Sequence, residues 1–398
     1  MRNCLYSQVI FLFPRNISFP PRRGDSQRVF LIAESTFKCG LGASVFYFDK
    51  GKPFIYKGIG FYPLPGSVSA DPSKASKFSI ISALKDIVYF SITTMRVKTK
   101  MSESILYAHT PIGGLVGLII KIFTRAPLIY DPHDWFYEDW VFYHRNLSSL
   151  KRTSTSILFK LLNIILEKFV DFFVCVSPEM MDVVKTRRSK ILIPNYAKKI
   201  HGSDRSKGSE ITDETKQSIL FVGHVAVYQG IINLLEAFKI SIEKNHNIEL
   251  LIIGDGEDME LAKQFVKKHK LKNVIFTGSL SHKDVYSCIR KASLCVAPFL
   301  SLSFVKTSCP IKLLEYAALD KKIVTTDIPA FRKLLAGNDN AYFSGTTAES
   351  LSQTILTALN QKFFSSIKND SKLNSVYDKK NLNKILCKLY ENVKEKNG

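Results

Sequence analysis

The segment Ser308-Cys-Pro-Ile-Lys-Leu-Leu-Glu315 sets a hydroxyl, a proline, a lysine and a carboxylate at the spacing of a helix start. Ser308 suits the N-cap, and Pro310 suits the first helical turn. The N–H groups of such a turn have no partner inside the helix and carry partial positive charge. A diphosphate fits that field, and Lys306 or Lys312 adds charge to it. The N–H groups around Ile311 and Leu313 belong to the same turn. Glu315 lies too far into the helix for phosphates. It is placed to accept hydrogen bonds from neutral hydroxyls such as those of a ribose. The same residues also suit an ordinary helix start with a solvated glutamate.

Three further loops offer chemistry. Phe221-Val-Gly223 ends a strand pattern, with His224, Gln229 and Gly230 following. A glycine there lets a ligand approach the backbone, or makes a tight turn. Gly254-Asp-Gly256 also follows a strand and precedes a helical pattern. Met259 stands where a dinucleotide fingerprint would carry its third glycine, so that motif is incomplete. Tyr130-Asp-Pro-His-Asp134, with Glu138 beyond, sets His133 after a strand and beside two carboxylates. That suits an active-site imidazole, or one satisfied by its Asp neighbours. His109 ends a similar strand. No nucleophile elbow, H-E-x-x-H or P-loop occurs.

These loops need strands and helices to hold them. Val9–Phe13 reads as a buried strand, Gln27–Lys38 as a helix and Ala43–Phe48 as a strand, which makes a βαβ unit. Residues 49–76 contain four prolines and read as irregular. Helical spacing returns over Phe78–Arg96, Ile112–Phe123 and Leu158–Val170, between strand patterns ending near Ala108, Asp131 and Val176. The polar run 199–217 has two apolar residues and reads as a linker. Alternation restarts at Ser218 and runs on to a closing helix over Lys379–Glu395. The expected fold class is α/β. Its expected parts are an N-terminal Rossmann-like domain over 1–200, a linker over 201–217, a C-terminal Rossmann-like domain over 218–375 and a helix within 376–398.

The chain of 398 residues carries 56 Lys+Arg against 35 Asp+Glu, a net charge of +21. Residues 1–200 hold 28 basic and 14 acidic side chains, so the excess concentrates there. Such a surface attracts polyanions, anionic lipid among them, or reflects composition alone. Arg22-Arg23, Lys151-Arg152 and Arg187-Arg188 are not interleaved with aromatics, so nucleic acid is not an expected partner. Leu158, Leu161, Leu162, Ile165 and Phe169 share one helix face. It could rest on an anionic membrane, but core packing is the expected use. The seven cysteines show no C-x-x-C pair, which suits reduced thiols in a cytoplasmic protein. The run Val9–Phe13 is too short for a signal peptide and Ile112–Ile120 too short to span a bilayer. The expected location is cytoplasmic, with membrane association left open.

Taken in order, these loops resemble family 4 glycosyltransferases, group 1 enzymes with the GT-B fold. The resemblance is carried by FVGHVAVYQGIINLLEAF, LLIIGDGEDMELAKQF, NVIFTGSLSHKDVYSCIRKASLCVAPF and CPIKLLEYAALDKKIVTTDIPAFRKLL, and more loosely by YDPHD and VCVSPEMMDVV. It implies two Rossmann-like domains facing each other across a cleft, a C-terminal helix over 376–398 that packs back on the N-terminal domain, and sugar transfer with retention of configuration. The implied partners are a nucleotide sugar and a glycan or lipid-linked acceptor, with no metal or cofactor. It also implies a set of roles. Glu315 would bind the donor ribose. Ser308, Pro310, Ile311, Lys312 and Leu313 would face the diphosphate. Thr277 and Gly278 would lie near the base, with Gly223 and Gly254 at the donor. Gly24 would lie near the donor phosphates and His133 near the transferred sugar. Three positions depart from the pattern: Thr307 replaces the first motif glutamate, and His224 and Gln229 replace basic phosphate contacts. A sugar-nucleotide epimerase, or a GT-B binding subunit without catalysis, is the alternative.

Overall fold

A computed structural model describes residues 6–17, 19, 24–66, 80–98, 100–133, 148–197, 215–362 and 379–397. Asp134, Glu138, Arg22-Arg23 and most of the linker 201–217 lie outside the described residues. The chain divides into two compact units: Met1–Pro194 with Lys379–Gly398, and Asn195–Asp378.

The first unit runs β1 (Gln8–Phe13), α1 (Gly24–Lys38), β2 (Gly42–Phe48), β3 (Phe54–Tyr56), β4 (Ile59–Leu64), α2 (Ile80–Val97), β5 (Ser104–His109), α3 (Thr110–Thr124), β6 (Leu128–Asp131), α4 (Ser149–Phe169), β7 (Phe172–Cys175), α5 (Pro178–Val183) and β8 (Ser189–Leu192). The sheet order is β3-β4-β2-β1-β5-β6-β7-β8. All neighbours are parallel except β3 with β4. That hairpin corrects the expectation of an irregular stretch over 49–76. Pro63 closes β4 near its end, and Phe54 and Phe61 stack across the pair at 5.2 Å. Strands such as Val9–Phe13 are buried along their whole length, as a parallel sheet covered on both faces requires.

The second unit runs β9 (Gln217–Val222), α6 (Ile231–Lys244), β10 (Ile248–Ile253), α7 (Met259–Lys268), β11 (Val274–Gly278), α8 (His282–Lys291), β12 (Leu294–Ala297), α9 (Ser303–Lys306), α10 (Ile311–Ala318), β13 (Ile323–Thr326), α11 (Pro329–Leu334), β14 (Ala341–Ser344) and α12 (Ala348–Asn360). Its six strands are all parallel, in the order β11-β10-β9-β12-β13-β14. The core sits between β9, β10 and the helices α6 and α12, with Phe221, Leu234, Phe238, Leu250 and Ile355 buried together.

Helix α13 (Lys379–Asn397) belongs to the first unit. Its Tyr390 hydroxyl lies 2.6 Å from Thr36 Oγ1 of α1. Cys387 forms a disulfide with Cys39. This corrects the expectation that every cysteine is a thiol. The partners are 348 residues apart in sequence, so only the pairing of first and last helices reveals them. Cys175, Cys288, Cys295 and Cys309 are free and buried.

The face of α4 expected to enter the core is exposed instead. Leu158, Leu161, Ile165 and Phe169 are 46–52 % exposed, and Leu162 is half-buried. The inward side is taken by Thr155, Phe159, Asn163 and Leu166. Asn163 belongs there because its amide oxygen accepts the Tyr130 hydroxyl at 3.1 Å, so its polar group is satisfied inside.

Candidate functional site

In an open parallel sheet the carboxyl ends of the strands form the edge where ligands are met. In the second unit β9 and β10 are followed directly by Gly223 and Gly254, and β11 ends on Gly278, with φ of 138°, 134° and 68°. The Gly223 N–H donates to Ile253 O, and the Gly254 N–H to Gly278 O, both at 2.9 Å. A Cβ on Gly254 would lie 1.8 Å from Gly223 O, and one on Gly223 would lie 2.7 Å from Lys312 Nζ. Only glycine lets these strand ends and the lysine come so close. Thr277 turns its hydroxyl to Gly278 O at 2.9 Å.

Helix α10 points its first turn at this edge through Lys312. Pro310 is its N-cap residue, and no side chain caps it. Ser308 is therefore not the cap: its Oγ donates to Val305 O at 2.9 Å. Thr307 Oγ1 likewise donates to Phe304 O at 3.1 Å. Both hydroxyls satisfy carbonyls of α9. The reason lies in Pro310, whose ring keeps Cys309 out of the helical region, so α10 cannot begin earlier. Ile311 and Lys312 occupy the first turn, where N–H groups lack an intrahelical partner. The Leu313 N–H differs, donating to Pro310 O at 3.2 Å.

Lys312 is buried. Its Nζ donates to Gln229 Oε1 and lies 4.2 Å from the ring centre of Phe221 and 5.1 Å from that of Phe299. Burial pulls its pKa down to about 7, against the opposing pull of Glu315. Glu315 is buried too, and its Oε1 accepts the Tyr286 hydroxyl at 2.9 Å. Burial pushes the Glu315 pKa up to about 7, opposed by that hydrogen bond and by Lys312. Burial thus disfavours the charged form of both groups, and the charge of a ligand beside them shifts that balance. Tyr286 was not legible in sequence: it lies on α8, and only packing brings it to Glu315.

Two positions are already committed. His224 Nδ1 lies 3.0 Å from Asp255 O, and its Nε2 lies 2.5 Å from Glu257 Oε2. Gln229 donates to the Tyr228 hydroxyl at 3.0 Å while accepting from Lys312. The unit thus gathers Gly223, Gly254, Gln229, Lys312 and Glu315, holds His224 against the loop after β10, and turns Ser308 away.

The first unit carries its own polar cluster at its strand ends. His109 and Asp131 end β5 and β6 and are register partners. His133 follows with φ of 69°, and its Nε2 lies 2.7 Å from His109 Nδ1. Burial lowers the pKa of both imidazoles; His133 adds to the effect on His109, and Arg28 adds to it on both. The pair is therefore neutral at pH 7, with one N–H shared between the rings. Asp131 is held by Arg28 Nε at 2.9 Å and by the Tyr107 hydroxyl at 3.2 Å. Arg28 also donates to the carbonyls of Ile193 and Pro194. Ligand atoms of His109, Asp131 and His133 all lie within 4.8 Å of one another. A cation there would have to displace the Arg28 guanidinium, so the donor set suits a structural network better than a metal. A lone arginine in a helix carries no sequence signal, and Arg28 was missed for that reason. Gly24 lies exposed at the start of α1.

Residues 203–375 match the family model described as Glycosyl transferases group 1. The chain is 23 % identical over 237 residues to a phosphatidylinositol N-acetylglucosaminyltransferase GPI3 subunit of Saccharomyces cerevisiae, covering 56 % of this chain and 51 % of the relative. This chain thus spans about half the length of that relative. It is also 23 % identical over 294 residues to the capsular polysaccharide biosynthesis glycosyltransferase CapM of Staphylococcus aureus, covering 66 % and 71 %. A sucrose-phosphate synthase from Thermosynechococcus elongatus superposes with a TM-score of 0.71 at 13 % identity, over 97 % of this chain and 94 % of that one. The fold is GT-B, built from two Rossmann-like α/β domains, and these matches support a glycosyltransferase of group 1.

Proposed function

We propose that the protein transfers a sugar from a nucleotide-sugar donor to a hydroxyl of a glycan or lipid-linked acceptor, with retention of configuration, in the synthesis of a cell-surface polysaccharide. The observation that carries this is the Lys312–Glu315 turn. A buried lysine and two free N–H groups stand beside a glycine edge, one helical turn from a buried carboxylate. The first set answers a diphosphate, and the carboxylate answers ribose hydroxyls. As the glycosidic bond breaks, charge builds on the leaving diphosphate oxygens, and fixed dipoles with a cation stabilise it. This assignment needs no metal or cofactor, because Lys312 and the helix start supply the positive field. His133 and Gly24 stand in the other unit, and their roles rest on the family resemblance.

Thermal-shift screening against UDP-, GDP-, ADP- and CMP-sugars identifies the donor, since a ligand that binds only the folded state raises the melting temperature. Lys312→Ala and Glu315→Ala are then assayed for donor hydrolysis and transfer. Each is expected to lose activity, Lys312→Ala by about 10²–10³-fold in turnover. Unchanged kinetics in both variants would sink the assignment. Binding of a nucleotide sugar with no transfer to any hydroxyl acceptor would favour a non-catalytic subunit. A changed sugar with no acceptor used would favour an epimerase.

A further inference from the structure

Three neighbouring helices of the first unit bury one apolar side and expose further apolar residues on the other. On α2 the buried side holds Ile87, Phe90, Ser91 and Thr94, while Leu84, Val88 and Ile92 are 40–52 % exposed. On α4 the buried side holds Thr155, Phe159, Asn163 and Leu166, while Leu161, Ile164 and Ile165 are 46–53 % exposed. Between them α3 ends on Ile122 and Phe123, each 74 % exposed. A surface helix in water is expected to turn a polar face outward, and these helices instead expose a second set of aliphatics there. One such residue means little, but a stripe on each of two helices with a third between them marks a contact surface. An open groove of about 520 Å³ along α2, lined by Leu84, Lys85, Val88, Tyr89 and Ile92, belongs to the same face.

Charge identifies the occupant. The three helices hold seven basic residues and two acidic ones. Lys85, Arg96, Lys160 and Lys168 are exposed. A second copy of the chain would bring the same excess, because a two-fold interface sets each patch against itself and the whole chain carries +21. An anionic bilayer offers the complement: acyl chains for the aliphatics and negative headgroups for the lysines, whose long stems reach from an apolar face to a charged one. No helix among the described residues is long and apolar enough to cross a membrane.

We infer that the outer face of α2, α3 and α4 docks on an anionic lipid surface. The inference stands on the first unit alone and is independent of the donor assignment in the second. The full chain is tested by co-sedimentation with vesicles of phosphatidylcholine and phosphatidylglycerol in equal parts, and with vesicles of phosphatidylcholine alone. Strong binding to the first that fades as salt rises is expected. Ile122→Glu with Phe123→Glu should lower partitioning at least about tenfold, by the aliphatic and aromatic surface it removes from the bilayer. Lys160→Gln and Lys168→Gln, which leave the apolar face intact and settle the matter if the first variant misfolds, should each lower binding to the anionic vesicles about fivefold, the equivalent of ~1 kcal/mol per charge. Melting curves and nucleotide-induced shifts should stay unchanged in every variant. Absence of binding to either vesicle overturns the inference. So does a dimer in solution that the glutamate variant dissociates, because a second copy would then be the occupant.

Discussion

Lys312 and Glu315 are the residues to which the proposed function assigns the chemistry, and both owe their character to burial. A lysine whose pKa lies near 7 is partly neutral in the empty site, while a bound diphosphate favours its cationic form. Donor binding should therefore take up a proton above pH 7. Affinity should fall by up to about tenfold per pH unit as pH rises past 7, and Lys312→Arg, which keeps its charge, should flatten the profile. Isothermal calorimetry in buffers of differing ionisation enthalpy measures the proton directly. The proposed assignment draws the positive field from the protein, so treatment with a chelator should leave transfer activity unchanged, and a chelator-sensitive rate restored by a divalent ion would contradict this. The histidine pair makes a separate prediction. Imidazoles held below their ordinary pKa contribute stability above about pH 6.5 that is lost as pH falls through their folded values. Denaturation of the chain between pH 7 and 5 should show a loss of stability that His109→Phe with His133→Phe reduces.

At the scale of elements, the site depends on how strands end and how one helix begins. Gly254 and Gly278 both have positive φ, but they differ in space: a Cβ on Gly254 meets Gly223 O at 1.8 Å, while nothing lies within 4 Å of one on Gly278. Gly278→Ala should cost only the left-handed penalty, about 1–2 kcal/mol. Gly254→Ala should add a backbone clash to that penalty and abolish the nucleotide-induced thermal shift. Equal melting temperatures for the two variants would show that φ alone governs the edge. The start of α10 follows the same logic. Pro310 bars an earlier helix, and the free N–H groups are consequently those of Ile311 and Lys312.

At the scale of the whole molecule, the last helix is tied to the first. The Cys39–Cys387 disulfide closes a loop of 348 residues, and Tyr390 bonds Thr36 beside it. Cross-links stabilise mainly by restricting the unfolded chain, typically by about 2–4 kcal/mol. Reduction, or Cys39→Ser, should therefore lower the melting temperature of the first unit, while the nucleotide response of the second unit persists. A melting temperature indifferent to reductant would show that α13 is held by packing alone.

The alternation of strands and helices, the parallel sheets and the glycine-ended loops are legible in sequence, because each rests on local periodicity or on a residue with special backbone freedom. Lys312, Glu315 and His133 stood out for the same reason: each lies in a strand-to-helix loop or the helix that it opens. Tertiary structure alone decided the rest. Tyr286 meets Glu315, Arg28 meets Asp131 and Cys39 meets Cys387 through contacts between distant segments, which no local spacing encodes. The outward face of α4 belongs with them. A stripe of leucine and isoleucine records only that one side of a helix is apolar. The side that the core receives carries Phe159, Leu166 and Asn163, the last bonded to the buried Tyr130.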